Sequence, residues 1–123
     1  MRALVVDDSR TTRTILGRIL RDLGFHVAEA THGREALAWI AHEGEPDVVL
    51  VDWHMPEMDG LDFIRAIRAT PGRERLPLVM VSVETEVPRI KQALDAGVNE
   101  YVMKPFTKET IQEKLQLLGM ETS

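Results

Sequence analysis

The chain has 123 residues, 44% of them hydrophobic and 28% charged, with no cysteine and a formal net charge of −5. That length suits one domain around one core, and the composition excludes a disordered or low-complexity chain. The missing cysteine excludes a disulfide scaffold and any thiolate metal site, and the acidic balance weighs against holding nucleic acid through its phosphates.

Ala3-Leu4-Val5-Val6 reads as a buried first strand. Ile15, Leu16, Ile19, Leu20 and Leu23 then recur at helical spacing, and Gly24 stops the helix. A weaker strand covers about 25–30. Gly33 precedes a helix carrying Ala36, Leu37, Ile40 and Ala41. Pro46 opens the cleanest strand, from Asp47 to Asp52. A loop from Trp53 to Gly60 leads to a helix carrying Leu61, Ile64 and Ile67, which fades near Thr70-Pro71-Gly72. Pro77 opens Leu78-Val79-Met80-Val81-Ser82. The fourth helix covers about 86–96; Pro88 falls in its first turn, where a missing N–H costs little, and Gly97 ends it. The fifth strand, Glu100 to Lys104, runs through Pro105-Phe106 to a helix capped by Thr107 and carrying Ile111, Leu115 and Leu118.

No linker or repeat interrupts this order, so residues 1–123 are expected to form one domain. Residues 3–6 are too short an apolar run for a signal peptide, and no later run reaches membrane-spanning length. A cytoplasmic setting without membrane insertion is therefore expected. Three of the strands are continuous apolar runs rather than alternating ones, as in parallel strands covered by helices on both faces. Five strand–helix units predict an α/β doubly wound parallel sheet with right-handed crossovers.

In such sheets ligands bind at the carboxyl ends of the strands. The first strand ends in Asp7-Asp8, the third in Asp52, the fourth in Ser82 and the fifth in Lys104. Three carboxylates brought together repel one another and call for a cation. All-oxygen ligation suits Mg²⁺, which also holds phosphate oxygens. Lys104 adds a point charge and Ser82 a hydroxyl donor for the same phosphoryl group. One aspartate remains to act as nucleophile and form an acyl phosphate.

Val5-Val6-Asp7-Asp8-Ser9, Val51-Asp52-Trp53-His54-Met55-Pro56, Met58-Asp59-Gly60, Val81-Ser82 and Lys104-Pro105-Phe106 together resemble the response-regulator receivers, over essentially the whole chain. The intervals between Asp7, Asp52, Ser82 and Lys104 are similar to those of the single-domain chemotaxis regulators. The resemblance implies a (βα)₅ flavodoxin-like fold with strand order 2-1-3-4-5. It implies Asp52 as phosphoacceptor, and Mg²⁺ held by Asp8, by Asp7 largely through water, by Asp52 and by the His54 backbone carbonyl. Ser82 and Tyr101 resemble the switch pair. Lys104 resembles the phosphate-binding lysine, with a bond to Pro105 that is commonly cis. His54 and Glu84 hold the two positions that tune how fast water removes the phosphate. The implied partners are a sensor histidine kinase or histidine phosphotransfer protein, and a downstream protein on the face of the fourth helix, fifth strand and fifth helix. The implied product is a signalling domain that promotes its own phosphorylation and slow autodephosphorylation, not an enzyme acting on a separate substrate. Nucleic acid is not expected as a direct partner.

Plainer roles compete at several positions. Asp7 or Asp8 suits an N-cap of the first helix, Tyr101 suits ordinary strand packing, and His54 suits a solvent-facing residue that offers only its carbonyl. Gly60 is expected to serve the loop-to-helix turn. Trp53 is expected to be partly exposed beside the site. Arg10, Arg13, Arg18 and Arg21 read as a solvated face of the first helix, with Arg10 or Arg13 able to touch a phosphodonor. A haloacid-dehalogenase-type phosphohydrolase needs a second acid two residues after its nucleophile, where this chain has His54. A dinucleotide-binding domain needs a glycine-rich first turn, where it has Asp7-Asp8-Ser9-Arg10. The third alternative is a receiver that works as an interaction module without phosphorylation.

Overall fold

The structure is a computed structural model and describes residues 1–122. Five strands alternate with five helices: β1 (Arg2–Val6), α1 (Arg10–Asp22), β2 (His26–Ala30), α2 (Gly33–Glu43), β3 (Val48–Val51), α3 (Gly60–Ala69), β4 (Leu78–Ser82), α4 (Val87–Ala96), β5 (Glu100–Met103) and α5 (Lys108–Leu117). All strand pairs are parallel, in the order β2-β1-β3-β4-β5.

The order explains the uneven strand signals. β3 and β4 are buried throughout, and β1 is buried from Ala3 onward. These are the three central strands and the three continuous apolar runs. β2 and β5 lie at the edges and carry exposed His26, Glu29 and Met103.

Side-chain alternation splits the interior into two layers. Ala3, Val5, Val48, Leu50, Val79 and Val81 meet Leu16 and Leu20 of α1 and Ile111 and Leu115 of α5. Leu4, Val6, Val49, Val51 and Met80 meet Ala36 and Ile40 of α2, Phe63, Ile64 and Ile67 of α3, and Ala93 of α4.

Two predicted core positions fall outside. Ile15 is 46% exposed, because α1 seats Leu16, Leu20 and Leu23 on the sheet and Ile15 lies at the rim of that stripe. Ala41 is exposed beyond Ile40 on the outer side of α2. Phe63 joins the core unpredicted; α3 is buried over a wider arc than one stripe requires. The N-cap of α1 is Ser9, which accepts from the Thr12 N–H at 3.2 Å, so neither Asp7 nor Asp8 caps it. Thr107 caps α5 as expected, accepting from the Thr110 N–H at 3.1 Å.

Candidate functional site

Because the strands are parallel, their carboxyl ends open on one edge of the sheet. The ladder carries Asp7 and Asp52 one residue past β1 and β3: Asp7 N–H donates to Ala30 O at 3.1 Å and Asp52 N–H to Val6 O at 2.9 Å. Both side chains are then buried where the strands stop, while Asp8 is exposed. One carboxylate oxygen from each of Asp7, Asp8 and Asp52 lies within 4.8 Å of the other two.

Lys104 enters from the end of β5. Its N–H donates to Ser82 O at 2.8 Å, which fixes it against β4. Its Nζ stands 3.0 Å from Asp7 Oδ2 and 3.5 Å from Asp52 Oδ1. The bond to Pro105 is cis. Three carboxylates against one ammonium leave two uncompensated negative charges, the charge and donor set of a divalent, oxygen-seeking cation.

Asp52 bears the consequence. Burial pushes its carboxyl above the ordinary carboxylate range, and the Asp7 charge adds to the push. Lys104 and the Trp53 N–H, which donates to Asp52 Oδ1 at 2.8 Å, oppose the rise without cancelling it.

The remaining predicted residues sit around this centre. Ser82 is fully buried, and its Oγ accepts from the Glu84 N–H at 3.2 Å. Tyr101 is half-buried, with its hydroxyl donating to the Glu84 carbonyl at 2.9 Å. Burial pushes its phenol upward; the Ser82 hydroxyl beside it opposes this, and the Glu84 and Asp52 charges reinforce it. The exposed His54 ring meets Glu84 Oε1 through Nε2 at 2.8 Å, joining the loops that follow β3 and β4.

Two side chains depart from expectation. Trp53 is 2% exposed, not partly exposed. It continues the every-second-residue row of Val49 and Val51 into the α2–α3–α4 layer, a signal present in the sequence. The Arg89 guanidinium of α4 lies 5.6 Å from its ring centroid. Arg13 is not on the solvated face with exposed Arg10, Arg18 and Arg21; its side chain is only 14% exposed. Positions 13, 16, 17 and 20 share the helix face on which Leu16, Gly17 and Leu20 are buried, so its stem follows the core stripe.

Known proteins share both the sequence and the fold. Residues 3–116 match the family described as the response regulator receiver domain. The chain is 45% identical over 117 residues to the chemotaxis protein CheY of Pseudomonas aeruginosa, covering 94% of each. It is 41% identical over 119 residues to CheY1 of Helicobacter pylori, covering 96% of each. The solved structure of Vibrio cholerae chemotaxis protein CheY4 superposes with a TM-score of 0.88 at 33% identity, covering 95% of this chain and 97% of that one. With strand order, acidic cluster and near-full-length similarity in agreement, the chain belongs to the response regulator receiver family of two-component signalling and is CheY-like within it.

Proposed function

We propose that Asp52 is the phosphoacceptor of this receiver and that residues 1–123 work as one cytoplasmic switch unit. The observation that carries the proposal is the position of Asp52. It is 8% exposed, crowded by Asp7 and Asp8 and touched by Lys104. A carboxylate whose charge is disfavoured by burial and by a like-charged neighbour is disposed to take a cation and an electrophile.

Receivers of this family use Mg²⁺. Asp7, Asp8, Asp52 and the His54 backbone carbonyl would hold it here, Asp7 largely through water, and the all-oxygen set fits. When bound, the ion supplies charge neutralisation for phosphoryl oxygens. CheY-like receivers interact with histidine kinases and downstream targets. For this chain the donor is a phosphohistidine of a sensor kinase or of a histidine phosphotransfer protein. A carboxylate oxygen of Asp52 attacks phosphorus, the phosphorus–nitrogen bond breaks, and the leaving imidazole takes its proton from solvent. Lys104 pairs with one phosphoryl oxygen. The Ser82 hydroxyl turns to donate to another and loosens its bond with the Glu84 N–H.

That movement reaches Tyr101, whose hydroxyl holds the same loop at the Glu84 carbonyl. The loop leads into α4, whose N-cap Glu86 makes no side-chain cap bond and whose first residue, Val87, is 75% exposed. The loop thus links the site to an end of α4 that lacks a side-chain cap, and phosphorylation shifts its populations. Val87 and Leu94 of α4, Met103 of β5 and Leu117 of α5 are exposed apolar residues on the three elements we propose are offered to a downstream protein.

The family is a signalling family, and the His54–Glu84 bond supports slow autodephosphorylation as our reading of this member. That bond joins the loops after β3 and β4, where it would limit the approach of water. A single hydrogen bond of about 1 kcal/mol corresponds to roughly fivefold in rate. His54→Ala is accordingly expected to shorten the phosphate lifetime about fivefold at unchanged phosphorylation rate. Decay of radiolabelled protein after donor removal measures it; an equal or longer lifetime refutes the gate.

The proposal as a whole is tested by Trp53 fluorescence during titration with Mg²⁺ and then beryllofluoride. A beryllofluoride response that needs Mg²⁺ supports an aspartyl phosphoacceptor. No response, together with no uptake of label, would leave a phosphorylation-independent module, which has no use for the cluster of Asp7, Asp8, Asp52 and Lys104.

A further inference from the structure

Arg13 lies outside the receiver's acidic cluster yet holds its backbone. Three of the four polar atoms of Asp7 are occupied by groups already described or by the adjoining turn. Its N–H donates to Ala30 O at 3.1 Å, its Oδ1 accepts from the Ser9 N–H at 2.8 Å, and its Oδ2 meets Lys104 Nζ at 3.0 Å. The fourth, the carbonyl oxygen, lies past the last ladder pairs of β1, Val6 with Ala30 and Val6 with Val51, and so has no strand partner. Arg13 Nη1 donates to it at 2.7 Å. The Nε of the same guanidinium donates to Glu29 Oε1 of β2 at 3.1 Å, and Glu29 stands opposite Val5 in the sheet register. One planar fork thus ties α1 and β2 to the peptide between Asp7 and Asp8.

We propose that Arg13, braced by Glu29, is a positioning residue that fixes the Asp7–Asp8 peptide and thereby sets the affinity of the acidic cluster for Mg²⁺. The role rests on that cluster being the Mg²⁺ site. Asp8 is exposed, so no packing holds its side chain, and the peptide that places its Cα sets where the carboxylate can reach. Rotation of the preceding peptide swings Asp8 relative to Asp7 and Asp52, and a small octahedral ion tolerates little such error. Groups that orient metal ligands from behind typically govern affinity by about 10- to 100-fold.

Charge alone predicts the opposite sign. Arg13 is a cation near a cation site, so its removal with Glu29 left in place makes the surroundings more negative and favours Mg²⁺. The double variant Arg13→Ala/Glu29→Ala removes a neutral pair and isolates positioning. Calorimetric titration with MgCl₂ at fixed ionic strength is applied to the full chain and its variants, with folding checked by circular dichroism. Positioning predicts a Kd raised about 10-fold in the double variant and raised by less in Arg13→Ala, where the charge effect opposes it. Arg13→Lys keeps the charge and stem but not the fork, and is expected to show a smaller rise.

A wild-type Kd in the folded double variant, or tighter binding by Arg13→Ala, overturns the positioning role even if thermal stability falls. Should the double variant not fold, a wild-type Kd in Arg13→Lys overturns it equally. Absence of Mg²⁺ binding by the unaltered chain overturns the site itself, and the role of Arg13 with it.

Discussion

An Asp52→Asn variant will take up no stable phosphoryl label and, without Mg²⁺, will be more stable than the unaltered chain at neutral pH. The first effect is a loss of reaction, because an amide cannot form the acyl phosphate. Incubation with radiolabelled acetyl phosphate and Mg²⁺ measures it, and labelling at the wild-type level would remove Asp52 from the mechanism. The second effect follows from the raised carboxyl of Asp52. A carboxyl whose folded pKa lies above its unfolded one binds its proton more tightly in the folded state. Stability then falls as pH rises through the interval between the two values, and the full cost is present above it. At pH 7 in EDTA, above the unfolded value, the native chain carries the part of that cost accumulated up to that pH and the asparagine carries none. Each kcal/mol relieved raises Tm by about 4 °C in a domain of this size. The advantage should shrink as pH falls toward about 4, the ordinary carboxylate range, and again when Mg²⁺ is supplied to the native chain. Thermal melts in EDTA between those pH values decide it; a variant less stable than the parent at pH 7 would show that Lys104 outweighs burial and repulsion.

A Gly60→Ala substitution should be among the most damaging single-methyl changes in the chain. The backbone of Gly60 has no left-handed φ, so alanine meets no conformational penalty there. The obstacle is space. The Gly60 N–H donates to Trp53 O at 2.7 Å, drawing the start of α3 against the end of β3. A Cβ at Gly60 would overlap the Asp52 carbonyl oxygen and lie 2.9 Å from the Asp52 carbonyl carbon and from Trp53 Cα. All three are backbone atoms, which cannot rotate away. Overpacking of this kind costs about 1–3 kcal/mol and occasionally more, against a total of about 5–15. We expect about 3 kcal/mol here, read as a lowered urea midpoint, together with slower phosphorylation because the displaced peptide carries Asp52. A midpoint within experimental error of the parent would mean that α3 can slide away from β3 at little cost.

Five strand–helix units were legible from apolar runs and breakers, and the three central strands from their lack of alternation. Those signals are local: burial on both faces leaves no polar positions in Val48–Val51 or Leu78–Ser82. The acidic and basic strand ends were legible for a related reason, since parallel strands must deliver their carboxyl ends to one edge. What local patterning leaves open is which partner each side chain meets. Arg13 and Arg18 are equally polar in sequence, yet one turns inward over the core stripe and the other into solvent. Ser9 takes the cap of α1 and frees Asp7 for Lys104, 97 residues away. The His54–Glu84 and Arg13–Glu29 bonds likewise join segments 30 and 16 residues apart. Hydrophobic periodicity reports only whether a residue is covered, and that much the sequence determined by itself. The direction of a hydrogen bond depends on ångström-scale placement of two elements by the core between them, and only the tertiary structure decided it.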